Sequence, residues 1–155
     1  MGCSLNDFCV RKLALPGHGS PAAGEVVRRA AVVAGKRLAG VVVFGSAARG
    51  DFTERSDVDA LIVLDPELPI NRELYRGWDA EPIRWDGHAV EPHFAHRPDP
   101  DGPITGFWAE VAVDGVVLFE RGLELSRCLA RIRTRITSGA MVRRWSNGRP
   151  YWVAG

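Results

Sequence analysis

The stretch FGSAARGDFTERSDVDALIVLD, residues 44–65, holds the side chains best suited to chemistry. Asp57 and Asp59 stand two apart at the head of an apolar run. On an extended strand both carboxylates therefore share one face, with their Cα atoms about 6.5 Å apart. Aspartate is depleted in strands and like charges repel, so a sheet that keeps both needs something to offset the cost. Magnesium does so, because a hard cation takes carboxylate oxygens together with water and phosphate oxygens. Just upstream, Gly45-Ser46 closes one strand and opens a short helix, where free amides and the helix dipole favour an anion. Glycine lets a phosphate oxygen approach the backbone, and the Ser46 hydroxyl can donate to it. A phosphate cradle beside a metal site is the equipment of phosphoryl or nucleotidyl transfer. Each piece alone also has a plainer reading, with Ser46 as a capping residue and the aspartates as the solvated start of a strand.

The elements that must position these residues follow from patterning. Ser20 caps and Pro21 opens a helix whose Val26, Val27, Ala30, Val33, Ala34 and Leu38 recur at helical spacing until Gly40. VVVF at 41–44 predicts a doubly buried strand, and AARGDFTERS suits one or two helical turns and a loop. Asp57 to Asp65 reads as a second strand closed by Pro66 and Pro69, and a polar helix follows over Asn71 to Trp78. Past the turn-like Asp86-Gly87, HAVEPHFAH at 88–96 alternates as a strand that Pro92 pushes toward an edge or bulge. A helix over Ile104 to Val111, a strand over Val116 to Phe119 and a helix over Leu123 to Thr137 complete the pattern. Leu125, Leu129, Ile132 and Ile136 line one face of that last helix. The tail WSNGRPYWV reads as aromatic and irregular, with Trp145, Tyr151 and Trp152 covering the core or an oligomer contact.

With 155 residues, 46% hydrophobic and 25% charged, the chain suits one ordinary α/β domain. The expected divisions are an arm at 1–19, a core at 20–120, and a basic helix with an aromatic tail at 121–155. No apolar run reaches the length of a membrane span and the first residues lack a secretory pattern, so a cytoplasmic protein is expected. Cys3, Cys9 and Cys128 match no paired metal spacing and are expected to be free thiols. Residues 1–120 carry 12 basic and 18 acidic side chains, whereas 121–155 carry 8 and 1. Such a tail either meets an acidic partner or nucleic acid, or folds back onto its own acidic body.

The joint spacing resembles the minimal nucleotidyltransferases of the DNA polymerase β-like superfamily, whose signature is Gly-Ser, ten residues, Asp-x-Asp. Gly45-Ser46, Ala47 to Ser56 and Asp57-Val58-Asp59 match it in full, and Ala48-Arg49-Gly50 and Ser56 extend the likeness. The resemblance implies a mixed sheet flanked by helices. It also implies a third carboxylate on a later strand, for which Glu91 fits by order and strand context. Asp57, Asp59 and Glu91 would then hold magnesium, two ions being expected, and act in catalysis, while Gly45, Ser46 and Arg49 bind the phosphates of ATP. Arg49 has the alternative of pairing with Asp51 or Glu54. His93 shares the face of Glu91, and His96 lies on the opposite one, which rejects a His93–His96 metal pair.

What the resemblance implies about acceptors is a toxin of the HEPN ribonuclease class, with this chain as the antitoxin that adenylylates it. A small molecule such as an aminoglycoside, or neutralisation by contact without catalysis, are the other readings. Neither a membrane nor nucleic acid is expected as partner, and a homo-oligomer is left open. Arg127, Arg131 and Arg135 form a stripe along the last helix, either solvated or available to an acidic surface.

Overall fold

The computed structural model describes residues 20–155, so the expected arm at 1–19, with Cys3 and Cys9, lies outside the described residues. Helix α1, Pro21–Ala34, begins as its sequence dictates: the Ser20 side chain accepts the Ala22 amide and proline occupies the first turn. It does not run on to Gly40. Gly35 takes φ +56° and ends the helix, a 3-10 turn spans Gly35–Arg37, and strand β1 already starts at Leu38 and runs to Phe44. A left-handed glycine stops a helix more firmly than the apolar period beyond it can extend it.

The five-residue helix α2, Gly45–Arg49, follows directly and is capped by Gly50 in the left-handed region at φ +80°. Strand β2 spans Val58–Leu64, leaving Asp57 and Asp65 just outside it. Helix α3, Arg72–Asp79, is capped by Asn71, whose side chain accepts the Glu73 amide at 2.9 Å. Strands β3, Arg84–Trp85, and β4, His88–His96, form a hairpin whose turn residues Asp86 and Gly87 both have positive φ, the requirement of a type I′ turn. Helix α4, Gly106–Asp114, strand β5, Val116–Glu120, and helix α5, Glu124–Thr137, come next.

The sheet runs β3-β4-β2-β1-β5. β1 is antiparallel to both β2 and β5, and β2 is parallel to β4, the crossover between them carrying α3. The result is a mixed sheet with helices on both faces, which explains why β1 and β2 read as continuous apolar runs. Val41 and Val43 of β1, with Ala60, Ile62 and Leu64 of β2, pack toward the layer of α1 and α3. Val42, Phe44, Leu61 and Val63 pack toward α4 and α5, against Trp108, Val111, Leu129 and Ile132. Cys128 is a free thiol buried in that second layer, and burial pushes its pKa up. Pro92 is tolerated because β3 pairs only with His88 and Ala89. Beyond those two residues β4 is an edge strand, where a missing donor costs little.

The tail is not irregular. β6, Met141–Ser146, and β7, Arg149–Ala154, pair as an antiparallel hairpin. Asn147 at φ +50° and Gly148 at φ +74° form its turn, again the geometry that Asn-Gly favours. Arg143 anchors the hairpin by pairing with Asp114 at the end of α4 and lying 5.0 Å from the Trp152 ring centroid. Trp145 remains 57% exposed, so it covers no core.

One buried charge ties the two helices of the first layer together. Arg29 of α1 is only 4% exposed. It donates to the carbonyls of Gly77 and Trp78 in the last turn of α3 and reaches Glu81 at 3.4 Å. Those carbonyls end a helix and have no partner within it. Arg29→Met keeps the aliphatic stem and strands the acceptors, so it is expected to lower the unfolding free energy by about 1–3 kcal/mol in urea titration. A loss below about 0.5 kcal/mol would mean that water satisfies α3 equally well.

Candidate functional site

The alternation that fills both faces of the sheet also sets the site. Along β2, Asp59, Leu61 and Val63 share the face toward α4 and α5, and Asp59 stands where that face leaves the core. The parallel register of β2 and β4 puts Asp59 directly opposite Glu91, and Leu61 opposite His93. On β1 the partner of Asp59 is Phe44, the residue before Gly45. The first turn of α2 is therefore delivered to the Asp59 carboxylate by strand pairing alone.

Asp59, Glu91 and His93 each offer one donor atom, and these atoms lie within 4.8 Å of one another. His93 donates from Nε2 to Asp59 Oδ1 at 2.9 Å, and its ring meets the edge of Phe44 at 5.1 Å. Phe44 in turn packs edge-on against Phe107 at 5.4 Å, so an aromatic wall from β1 and α4 stands beneath the cluster. The Asp59 and His93 side chains are 31% and 42% exposed, which leaves them open to solvent. Two carboxylates and an imidazole, partly solvated, are a donor set that fits a divalent cation.

Gly45 is buried, with φ +71°, and a Cβ built on it would lie 2.6 Å from Asp59 Oδ2. Both the backbone conformation and the close approach demand glycine. No side chain caps α2, whose N-cap residue is Phe44, and Ser46 sits half-buried in its first turn.

Asp57 is exposed and stands one residue before β2, outside the 4.8 Å cluster. Its backbone is nonetheless held on both sides. Val58 pairs with Val90, and the Ser56 carbonyl accepts from His88 Nδ1 at 2.9 Å. The Thr53 amide bonds the Ser56 hydroxyl, closing the loop before it.

Arg49 donates to Asp51 at 3.2 Å and pairs with Glu110 of α4. Burial works against its charge, but the two carboxylates outweigh burial and raise its pKa. Glu54 is not its partner. Glu110 carries no sequence signal, since nothing in the chain says that α4 packs beside α2. His96 donates to the Leu68 carbonyl at 2.8 Å, away from the cluster.

Gly45→Ala is expected to cost about 1–3 kcal/mol from backbone strain and to push the Asp59 carboxylate from its place. Metal-dependent nucleotide affinity should then fall at least about tenfold in calorimetry, near 1.4 kcal/mol. Gly50→Ala is the control, because its φ of +80° carries similar strain but a Cβ there meets nothing within 4 Å. Equal affinity losses in both variants would trace the effect to the backbone rather than to contact with Asp59.

Residues 28–100 match the family model described as nucleotidyltransferase domain, a span that contains α1 in part, the whole Gly45 to Asp59 segment and β4. No curated protein shows significant similarity to the chain. Among solved structures, a chain of a toxin–antitoxin crystallised with AMP-PNP is 14% identical, with a TM-score of 0.50 over 75% of this chain and 87% of that one. A chain of a mutant toxin–antitoxin complex described as MntA-HpeT is 11% identical, with a TM-score of 0.52 over the same shares of each chain. At these identities the likeness is one of fold. No helix among the described residues is long and apolar enough to cross a membrane. Residues 28–100 of this chain are thus similar to a nucleotidyltransferase domain.

Proposed function

We propose that the chain transfers AMP from ATP to a hydroxyl on a partner protein, as the antitoxin of a toxin–antitoxin pair. The observation that carries the reading is the glycine contact, which brings the α2 turn against a strand carboxylate that faces a second one across the sheet. Asp59 and Glu91, with Asp57 at the head of β2, would hold magnesium, which when bound neutralises the triphosphate and polarises its α-phosphorus. The Gly45 and Ser46 amides and the Ser46 hydroxyl receive the outer phosphates. Glu91 is exposed and takes the proton of the incoming hydroxyl. The new bond joins that oxygen to the α-phosphorus in line, the bond to the leaving oxygen breaks, and pyrophosphate departs carrying the electron pair.

Arg49 is drawn on by Asp51 and Glu110, so its part in phosphate binding requires exchanging one of these partners for the ligand. A protein acceptor suits the described architecture. Everything after Glu120 packs back on the domain, α5 within the second layer and the last hairpin anchored to α4. A protein acceptor brings its own surface as the far wall of the acceptor site. Two structures of similar fold come from toxin–antitoxin complexes, one of them with AMP-PNP, which supports both the nucleotide and the class of partner, and the sequence resemblance points to a HEPN-type toxin.

The test is labelled ATP with the product of the neighbouring gene, read by intact mass for one added AMP. Asp57→Ala with Asp59→Ala should abolish labelling and lower magnesium-dependent ATP affinity at least about tenfold, while leaving the melting temperature unchanged or higher because like charges are removed. Glu91→Gln should preserve ATP affinity and slow transfer by about a hundredfold or more. Neutralisation of the partner without added mass, unaffected by the double variant, would overturn the catalytic reading. Label confined to small molecules would move the acceptor to that class.

A further inference from the structure

His93 is the one member of the donor cluster that neither the Gly-Ser and Asp-x-Asp pattern nor the expected third carboxylate accounts for. From the geometry we infer that His93 is itself a ligand of the catalytic metal, and that this nitrogen donor makes the centre prefer manganese over magnesium. The inference rests on the nucleotidyltransferase reading of the site and extends it to the choice of ion.

Three observations carry it. First, the imidazole belongs to the same donor cluster as both carboxylates. Its nitrogen lies within 4.8 Å of the donor oxygens of both Asp59 and Glu91, whereas a histidine that only oriented Asp59 would need to approach Asp59 alone. Second, the separation is already right. Nε2 and Asp59 Oδ1 are 2.9 Å apart, and two neighbouring ligands of an octahedral ion at 2.0–2.1 Å stand about 3 Å apart. Exchanging the shared proton for an ion therefore requires no movement of either strand. Third, the ring is fixed. β4 carries it two residues beyond Glu91 on the same face, and Phe44 packs against it edge-on.

Binding through Nε2 needs the neutral tautomer with its proton on Nδ1. The ring is 42% exposed, so water can receive that proton's hydrogen bond, as ligating histidines require of their second nitrogen. Magnesium binds oxygen and gives up its waters reluctantly, whereas manganese, a first-row transition ion, accepts an imidazole nitrogen beside carboxylates more readily. A site with two carboxylates and one imidazole thus discriminates by donor chemistry.

The experiment uses the whole chain with Mn2+ alone, observed by pulsed electron paramagnetic resonance, which reads 14N coupling directly and does not depend on turnover. The expected result is one imidazole nitrogen coupled to the ion in the wild type. In His93→Ala the coupling should vanish, Mn2+ affinity should fall at least about tenfold, the lower end of what metal-site neighbours contribute, and Mg2+ affinity should change little. Mn2+ bound at Asp59, as judged by its loss in Asp59→Ala, but without nitrogen coupling would overturn the inference and leave the nucleotidyltransferase reading standing. Mn2+ that does not bind, or that binds equally in wild type and Asp59→Ala, would overturn both. Because the wild-type spectrum alone decides the coupling, a poorly folded variant does not spoil the test.

Discussion

Asp59 and Glu91 face each other across paired parallel strands, an arrangement in which two negative charges repel. The rest of the domain is organised around keeping that pair in place. Parallel pairing of β2 and β4 requires a crossover, and α3 supplies it, locked to α1 by the buried Arg29. β1 on the other side of β2 brings Gly45 to within contact of Asp59. The only cationic or donor group in the donor cluster is His93, which gives Asp59 one hydrogen bond. A single hydrogen-bond donor does not balance two carboxylates, and the imbalance is what a divalent ion and the phosphates it carries would settle.

Much of this was legible because both faces of the sheet are buried. Long apolar runs bounded by glycine or proline mark β1 and β2 directly, and the two aspartates at the head of β2 stand out against them. Where the reading failed, two residue-level signals competed. Gly35 and Gly40 both fit as helix stops after an unbroken apolar period, and only the packing of Leu38 into the core decides for the earlier one. In the tail, Asn147-Gly148 is a hairpin signal as strong as Asp86-Gly87, but the flanking arginines and tryptophans hide the alternation, since neither strand buries a clean apolar face. At the site, Glu91 entered through the resemblance, with strand period and order selecting it, and the structure sets it opposite Asp59. The Arg49–Glu110 pair was not, because it depends on how two helices that are far apart in the chain approach each other.

The excess of arginine after residue 120 folds largely onto the chain itself. Arg121 pairs with Asp65, Arg131 with Asp101 and Arg143 with Asp114, while Arg135 donates to the carbonyls of Pro100 and Gly102. Two of the three arginines in the helical stripe thus clamp the loop between β4 and α4. Pairs this exposed contribute little energy each, so what they supply is placement of that loop, with its prolines, across the end of the sheet opposite the donor cluster. Arg127, Arg144 and Arg149 make no ion pair among the described residues. A docking role for the tail therefore falls to a smaller and differently placed set of charges than the stripe alone implies.

The departures from ordinary protein chemistry are concentrated at one end of the sheet. There a glycine sits at positive φ against a carboxylate, two acids face each other on a strand pair, and a helix starts without a capping side chain. At the other end, Arg121 and Asp65 pair and the Arg37 carbonyl takes the Asp65 amide. Every one of the departures removes a stabilising feature that the sequence supplies elsewhere: α1 and α3 have capping side chains, and the arginine network has its carboxylates. The N-cap side chains of α1, α3 and α4 take a first-turn amide, and Glu120 takes that of Ser126 in α5, whereas α2 starts beside the acid pair without a capping side chain. Under the proposed function, the α2 amides and the acid pair suit a ligand carrying both signs of charge, negative toward α2 and positive toward Asp59 and Glu91, and a metal-bound polyphosphate has that polarity.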